Sequence, residues 1–256
     1  MSTTYGEDVA KAHPWALRLA NQDMAISRFF HFQPLTAVEN GGPPLDRVGC
    51  RQRRHPHGDR TIVLASNNAG KVGEIDELLA AVRIRVIPQG ALGVSEVEET
   101  GTTFVENAIL KARHAARHCG LAAIADDSGL EVDALKGAPG IYSARFAGRG
   151  ASDAANLEKL LTVLRGVPEA RRTARFRCLM VYMLHGEDPT PLICQGTWEG
   201  RILSAPRGEN GFGYDPVFHV PGEDRSAAEL PAATKNHLSH RGQALRALVH
   251  HLGNQD

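Results

Sequence analysis

From residue 61 onward, hydrophobic positions recur with the spacings of short buried strands and amphipathic helices. Thr61–Ala65 is a short apolar run, which predicts a buried strand. Lys71–Val82 carries apolar residues three and four positions apart, so it predicts a helix with one buried face. Ile84–Ile87 predicts a second strand, which Pro88 ends. The order strand, helix, strand is typical of an α/β unit.

The same alternation continues in the middle of the chain. Thr103 and Glu106 have the spacing of a capping box, so they predict the start of a helix, and Gly120 predicts its end. Leu121–Ala125 is again a short apolar run and predicts a third strand. A further amphipathic helix with leucines on one face follows after residue 151.

Longer runs of β-forming residues come after that helix, whose predicted N-cap is Ser152 or Asp153. Arg172–Leu184 and Leu192–Leu203 are separated by a turn-like segment, so they predict two antiparallel strands. Pro216–Val220 predicts a short strand, and a closing helix is predicted to start at residue 239. These elements indicate an α/β or mixed α+β domain around a mixed sheet.

In residues 1–59 the hydrophobic positions follow neither the helical nor the strand spacing over any long stretch. Gly41–Pro44 and the basic run Arg51–Arg54 interrupt short apolar stretches. One interpretation is a targeting or nucleic-acid-binding arm, and the other is a disordered leader or a start codon placed too early. We therefore divide the chain into an N-terminal extension, 1–59, and a domain, 60–256.

Composition narrows the class of protein. The 256 residues include 29 basic and 29 acidic side chains, and this balance of charge argues against a protein whose main function is to bind nucleic acid. We expect no membrane span and no export signal, because the apolar runs are too short and the order of a signal peptide is missing. The 4 cysteines are widely spaced, so reduced thiols in a cytoplasm are expected. The histidines have no metal-ligand spacing.

Polar residues at strand ends are the first candidates for chemistry. Ser66–Lys71 lies between a predicted strand and a helix start, where backbone N–H groups and a lysine can bind an anion. By itself it also fits an ordinary polar turn. Glu96–Gly101 is a cluster of carboxylates or a solvated acidic loop. Asp126–Gly129 directly follows a buried strand, so its adjacent carboxylates need a cation or donors nearby, and Mg²⁺ prefers such oxygens.

Two later segments extend this list. Gly208–Pro216 places aromatic residues among glycines, which suits stacking on a base but also fits a tight loop. Lys235 and the tripeptide Ser239-His240-Arg241 bring cations to a helix start, where they oppose the helix dipole unless a ligand compensates. Together the five segments could bind phosphates, coordinate a metal through carboxylates, stack an aromatic ring on a base and hydrogen-bond to that base. This combination indicates a nucleoside triphosphate site.

Seven short blocks along residues 61–253 carry a resemblance to a known family. They are Ser66-Asn67-Asn68-Ala69-Gly70-Lys71, Glu98-Glu99-Thr100-Gly101, Thr103-Phe104-Val105-Glu106-Asn107-Ala108, Ala125-Asp126-Asp127-Ser128-Gly129-Leu130, Gly137-Ala138-Pro139-Gly140-Ile141-Tyr142-Ser143-Ala144-Arg145, Gly211-Phe212-Gly213-Tyr214-Asp215-Pro216 and Ser239-His240-Arg241. In this order they resemble the inosine and xanthosine triphosphate pyrophosphatases, which act on noncanonical purine nucleoside triphosphates. The extension before residue 61 has no counterpart in that family.

The resemblance implies Mg²⁺-dependent hydrolysis of ITP, dITP and XTP to the monophosphate and pyrophosphate, which keeps deaminated purines out of DNA and RNA. Glu99 and Asp127 would bind the metal, and Asp127 would also act as the base for water. The phosphates would be held by Ser66, Asn67, Asn68, Ala69, Gly70 and Lys71. The remaining substrate contacts would come from Ser128, Phe212, Gly213, Tyr214, Asp215, Lys235, His240 and Arg241.

The implied fold is a long mixed central sheet with two α/β lobes and a cleft between them, assembled as a cytoplasmic homodimer. Donors from His240 and Arg241 suit a 6-oxo purine and leave a 6-amino group unpaired. Two other hypotheses stay open at this point. One is a pyrophosphatase for pyrimidine or ordinary deoxynucleotides, and the other is a nucleotide-binding or nucleic-acid-binding module without catalysis.

Overall fold

The computed structural model describes residues 60–80 and 83–253, and in this part of the chain the predicted alternation forms one mixed sheet with helices on both faces. The strands are β1 (Arg60–Leu64), β2 (Ile84–Pro88), β3 (Ala123–Val132), β4 (Thr173–Met183), β5 (Leu192–Ile202), β6 (Phe218–Val220) and β7 (Arg225–Ser226). The helices are α1 (Ala69–Ala80), α2 (Phe104–Cys119), α3 (Asp153–Val163), α4 (Ala232–Leu238) and α5 (His240–Gly253).

The sheet has the strand order β2-β1-β3-β4-β5-β6-β7. β1 pairs in parallel with β2 and β3, and all later neighbours are antiparallel. The long pairings of β4 with β3 and β5 form the centre of the sheet. The predicted mixed sheet and the predicted hairpin are therefore confirmed.

Three hydrophobic clusters surround this sheet. On one face, Ile124 of β3 packs with residues of β1, β2, α1 and α5. On the other face, Ala123 and Ala125 pack under the alanines of α2. Farther along β3, Leu130 and Val132 belong to a separate cluster with α3, β5 and β6. The four residues between these cores, 126–129, thus lie where the two lobes of the domain meet.

Local sequence signals explain where the helices begin. The Thr103 hydroxyl accepts from the Glu106 N–H at 3.3 Å, and the Glu106 carboxylate accepts from the Thr103 N–H at 2.9 Å, so the predicted capping box is present. Ser152, rather than Asp153, is the N-cap of α3, because its hydroxyl accepts from a backbone N–H in the first turn. These side chains satisfy backbone donors that a helix start otherwise leaves unpaired.

Some predicted boundaries were wrong. β3 continues to Val132 and contains Asp126–Gly129, which we expected after the strand. The carboxylates are tolerated there because Lys71, Arg241 and Lys111 compensate them. The segment from Pro216 begins with a 3₁₀ turn and becomes a strand only at Phe218, and α4 was not predicted. Helix α1 starts two residues before Lys71.

Residues 1–59, with the Arg51–Arg54 cluster and Cys50, lie outside the described residues, as do Ala81 and Val82 at the end of the helix predicted from Lys71. Cys119, Cys178 and Cys194 are free thiols. Within the described ranges, no helix is both long enough and apolar enough to span a membrane.

Candidate active site

The turn between β1 and α1 is shaped by its own polar side chains. The Ser66 hydroxyl accepts from the Asn68 N–H at 3.2 Å, and the Asn68 side chain accepts from the Lys71 N–H at 3.1 Å. Asn67 accepts from the Gly90 N–H at 3.0 Å, which ties the turn to the loop after β2. These bonds fix the backbone of the turn. The Lys71 side chain extends from it into the domain and reaches Asp126.

Asp126 is the buried acceptor for two cations. Its carboxylate lies 2.9 Å from the Lys71 ammonium and 3.5 Å from the Arg241 guanidinium, and the Ser128 hydroxyl donates to it at 3.2 Å. Burial alone would raise the pKa of Asp126, but the charges of Lys71 and Arg241 outweigh it and hold the pKa well below its ordinary value. Asp126 is therefore an anion that joins the turn after β1 to the start of α5.

Asp127 belongs to the opposite face of β3, the face covered by α2. Its two oxygens are bound separately: Lys111 donates to Oδ1 at 2.9 Å, and Asn107 donates to Oδ2 at 3.2 Å. Burial raises the pKa of Asp127 above its ordinary value; the Glu99 charge adds to this rise, and Lys111 opposes it. Asp127 is thus a more basic carboxylate than Asp126.

Glu99 and Asp127 converge on one ammonium group. Lys111 lies 3.0 Å from a Glu99 oxygen and 2.9 Å from an Asp127 oxygen, and Arg145 lies 3.0 Å from the other Glu99 oxygen. Although burial opposes the change, Lys111 and Arg145 lower the pKa of Glu99. The carboxylates of Glu99 and Asp127 therefore converge on a single position, which the Lys111 ammonium group occupies.

The oxygen donors of Glu99 and Asp127 fit Mg²⁺, which usually takes one or two carboxylates and completes its shell with waters and substrate phosphates. A cluster of three or more His, Cys, Asp or Glu suited to a metal is absent from the part of the chain that the structure describes. A metal bound here would therefore have Glu99 and Asp127 as its protein carboxylate ligands, with waters and substrate phosphates completing its shell.

The glycine-rich loop before β6 presents the aromatic ring of Phe212, which is 36% exposed. The Lys235 ammonium lies 4.9 Å and the Arg241 guanidinium carbon 5.6 Å from the ring centroid. Asp215 holds the loop, because it accepts from the Phe212 N–H at 2.9 Å and from Lys235 at 2.7 Å. A ring fixed in this way, with cations beside it, is suited to stacking on a nucleobase.

Two neighbours of that ring have different roles. Gly213 donates its N–H to Asp153 at the start of α3, at 2.8 Å. Tyr214 is buried, and its hydroxyl donates to the Ser143 carbonyl at 2.8 Å. Burial, together with the Asp153 charge, raises the pKa of Tyr214. The structure thus places Tyr214 under the loop as a support, and its predicted contact with substrate stays a prediction.

His240 and Arg241 at the start of α5 are both buried. The His240 ring stacks on Phe176 with centroids 4.8 Å apart, and burial followed by the Arg241 charge lowers the pKa of His240 well below its ordinary value. Glu74 accepts from Arg241 at 2.8 Å. The mismatch expected with the helix dipole is therefore relieved by a neutral imidazole and by two carboxylates, Glu74 and Asp126.

Two nitrogens at this position lack partners among the described residues. They are Nδ1 of His240 and Nε of Arg241, both fully buried. Buried polar atoms usually have a hydrogen-bond partner, so these two nitrogens mark a place where a ligand can bind, and the Arg241 guanidinium lies beside the exposed Phe212 ring.

The structure brings most of the predicted residues into two groups. One group joins the turn Ser66–Lys71, Ser128, the loop Phe212–Asp215, Lys235 and the His240–Arg241 pair, and a Cβ on Gly70 would lie only 3.5 Å from the Phe212 ring. The other group is Glu99 with Asp127, on the α2 face of β3. The two groups meet at the adjacent residues Asp126 and Asp127.

Four residues of these two groups had no predicted role: Glu74, Asn107, Lys111 and Arg145, of which Asn107 and Arg145 lie in the blocks that carry the resemblance. Lys111 had a usable signal, because it interrupts the alanine-rich stripe of α2, and a charge on a buried face needs a partner. Arg145 and Glu74 look like ordinary surface charges in the sequence, and only the fold brings them to Glu99 and Arg241.

The fold and the site define an α/β protein in which one long strand carries Asp126 with its cations on one face and Asp127, converging with Glu99, on the other. The Ham1 family model matches residues 62–251, so the chain belongs to the Ham1 family.

Known members of the family align with this chain over nearly their whole length. A dITP/XTP pyrophosphatase of Vibrio parahaemolyticus is 62% identical over 196 residues, which is 77% of this chain and 98% of the relative. The structure of a HAM1 protein from Coxiella burnetii is 52% identical with a TM-score of 0.72, and covers 76% of this chain and 99% of its own. A Staphylococcus aureus Ham1 protein is 44% identical with a TM-score of 0.69, and covers 77% and 100%.

Proposed function

We propose that the protein hydrolyses the noncanonical purine triphosphates ITP, dITP and XTP at the α–β phosphate bond, giving the monophosphate and pyrophosphate. The observation that carries this proposal is the meeting of cations, convergent carboxylates and an exposed aromatic ring around Asp126 and Asp127. The dITP/XTP pyrophosphatases that resemble this chain over nearly their full length support it. Such an activity would remove deaminated purines from the nucleotide pool.

In this proposal the phosphates bind at the turn Ser66–Lys71, where the Lys71 ammonium and the α1 N-terminus favour negative charge. Glu99 and Asp127 hold Mg²⁺, which when bound neutralises charge on the phosphoryl oxygens and makes water more acidic. Asp127 accepts the proton of the attacking water. Without a metal, burial raises the pKa of Asp127 whereas Lys71 and Arg241 lower that of Asp126, so Asp127 is the more basic of the two aspartates.

The purine ring stacks on Phe212 and turns its 6-position toward the start of α5. Arg241 is a permanent donor, and a neutral His240 can donate from one ring nitrogen. Donors pair with the 6-oxo group of hypoxanthine and xanthine, whereas the 6-amino group of adenine would leave them unpaired. Guanine also has a 6-oxo group, so rejection of GTP must act on its 2-amino group.

The decisive experiment is a substrate panel with Mg²⁺, in which pyrophosphate release is measured from ITP, dITP, XTP, ATP, GTP, dTTP and dUTP. We expect the first three to react fastest, at least about a hundredfold faster in kcat/KM than ATP. Equal rates with ATP and GTP would contradict the selection against ordinary purines. A preference for dTTP or dUTP would instead favour a pyrimidine pyrophosphatase.

The same assay tests the base. Asp127→Asn keeps the size of the side chain and removes the proton acceptor, so turnover of ITP should fall by about a hundredfold or more. Near-parental turnover in this variant would exclude Asp127 as the base, and absence of turnover in the parental protein would favour a binding module.

We also propose that residues 60–256 form the catalytic domain and that the protein is a cytoplasmic homodimer. The match to the Ham1 family model over residues 62–251 supports the boundary. The free thiols of Cys119, Cys178 and Cys194 favour a reducing compartment. Exposed Leu184 and Ile193, at the turn end of the β4–β5 hairpin, offer apolar surface to a second copy.

A further inference from the structure

Asn107 is a buried amide of α2 to which neither the sequence analysis nor the proposed reaction gives a role. Its side chain is fully buried. Its Oδ1 accepts from the Gly101 N–H at 2.8 Å, and its Nδ2 donates to Asp127 Oδ2 at 3.2 Å. An amide suits this place because one end must accept and the other must donate, and the two partners define which end is which.

Asn107 and Lys111 lie one helical turn apart, so both side chains leave the same face of α2. Lys111 binds Oδ1 of Asp127, and Asn107 binds Oδ2. One helix therefore fixes both oxygens of this carboxylate. Without the Asn107 bond, the carboxylate could rotate about the remaining contact with Lys111.

The other end of Asn107 fixes the loop that carries Glu99, two residues before Gly101. This loop approaches α2 very closely, because a Cβ on Gly101 would lie 2.7 Å from Asn107 Oδ1 and 2.6 Å from the Glu106 Cβ. Asn107 thus connects the loop of one carboxylate to the strand of the other. Its two bonds join the Glu99 segment to Asp127 through a single rigid amide.

We propose that Asn107 is a positioning residue that sets the separation of the Glu99 and Asp127 carboxylates, and thereby the affinity of the site for a divalent cation. The inference rests on the proposed function, since it concerns the same two carboxylates. Residues that orient metal ligands commonly change metal affinity or activity by about 10- to 100-fold when they are replaced.

The chain offers a matched control in Asp188, at the turn between β4 and β5, where none of the predicted site residues lies. Asp188 is also buried, has the same shape as asparagine, and accepts from two backbone N–H groups, those of Leu184 and Thr190, each at 2.9 Å. Asp188→Leu therefore reports what it costs to remove a buried side chain with two hydrogen bonds away from the site.

The test compares Asn107→Leu with Asp188→Leu in three measurements: Mn²⁺ binding without nucleotide, followed by electron paramagnetic resonance, thermal stability, and kcat and KM for ITP with Mg²⁺. We expect both variants to lower the melting temperature. Asn107→Leu should also weaken Mn²⁺ binding and lower kcat, each by about tenfold or more, while KM changes by less than about threefold. Asp188→Leu should leave Mn²⁺ binding and kcat near the parental values.

Parental Mn²⁺ affinity and kcat in a folded Asn107→Leu variant would overturn the inference, as would equal losses in Asp188→Leu. If Asn107→Leu does not fold, Asn107→Ala removes the same two hydrogen bonds without adding a charge or a larger apolar side chain beside Asp127. A loss of about tenfold in its kcat then supports the inference, and a parental kcat overturns it. Weakened Mn²⁺ binding together with a parental protein inactive on ITP would refute the proposed function and keep the positioning role.

Discussion

At the scale of single residues, the neighbouring aspartates Asp126 and Asp127 have opposite electrostatic settings because successive side chains of a strand point to opposite faces. Asp126 pairs with Lys71 and Arg241, and its pKa is lowered. Asp127 faces α2 and Glu99, and its pKa is raised. The sequence predicts that two adjacent carboxylates need nearby cations. Because the two side chains point to opposite faces of β3, each has its own cations, and only the fold shows which ones.

Asp126 should therefore be a structural anion. Asp126→Asn leaves Lys71 and Arg241 without their shared counter-charge in a buried place, which typically costs about 3–5 kcal/mol of unfolding free energy. Urea denaturation at neutral pH measures this loss.

The control for that substitution is an exposed ion pair of the same sheet. Glu199 lies 3.0 Å from Arg175, but its side chain is 64% exposed, so Glu199→Gln should change the unfolding free energy by less than about 1 kcal/mol. Equal effects of the two substitutions would show that Asp126 is not a buried counter-charge.

At the scale of elements, the position of His240 and Arg241, the residues proposed to read the base, depends on how closely α5 packs on β5. Gly196 of β5 faces the first turn of α5, and a Cβ there would lie 1.9 Å from the His240 carbonyl oxygen. Gly242 in that turn is equally restricted, since its Cβ would lie 1.8 Å from the Asn236 carbonyl oxygen. Gly196 thus allows the helix start to reach the sheet, and with it His240 and Arg241, while Gly242 allows α4 to pack closely on this turn.

Gly196→Ala should move this helix start away from the sheet. We expect a loss of about 1–3 kcal/mol in stability and a rise in KM for ITP, since the new methyl group overlaps backbone that cannot rotate away. Thermal melting and steady-state kinetics measure both.

Gly73→Ala in α1 is the matched control, because a Cβ there has nothing within 4 Å. In an exposed helix position alanine is better than glycine by about 0.5–1 kcal/mol, so this variant should be slightly stabilised. A Gly196→Ala protein with parental stability and KM would show that the close approach does not position His240 and Arg241.

The elements also show how far the sequence determines the fold. Helix α2 was predictable at both ends, because its capping box and Gly120 are local signals. The end of β3 was not, since Asp126 and Asp127 are poor strand formers and only tertiary ion pairs keep them in the strand. Helix α4 was missed because seven residues after a proline carry too little periodicity to distinguish a helix from a loop.

The same division holds for the site residues. The turn Ser66–Lys71 and the Phe212 loop were recognisable from residue type and order. Lys111, Arg145 and Asn107 were not, because their importance comes from partners 12 to 46 positions away, which the sequence does not pair. Local chemistry can be read from the sequence, whereas the positioning contacts depend on the packing of α2 against β3.

At the scale of the whole molecule, three cores share the same long strands. Two lie on opposite faces of the sheet, around Ile124 and around Ala125, and the third lies around Leu130 and Val132. The polar residues between the first two cores and the third lie where no core covers them completely. The site is thus a consequence of strands long enough to serve two lobes.

Residues 60–256 should suffice for the proposed activity, because the family match and these cores lie within that range. A chain that starts at residue 60 should fold and hydrolyse ITP with kcat/KM within about twofold of the full chain. Circular dichroism and the pyrophosphate assay measure both.

A second truncation provides the control. Starting the chain at residue 66 removes β1, whose Ile62, Val63 and Leu64 are fully buried, so this version should not fold. Loss of folding or activity in the chain that starts at residue 60 would instead assign an essential role to the first 59 residues.

The alternation of Asp126 and Asp127 has one more consequence, for how this gene can change over time. Inserting or deleting one residue within the first half of β3 would turn every later side chain to the other face. Asp127 would then face Lys71 and Arg241, and the residue facing α2 would be Ser128 after a deletion or Asp126 after an insertion. Leu130 and Val132 would turn away from their core. The length of this strand is therefore constrained, so relatives with this chemistry should vary in length only in their loops.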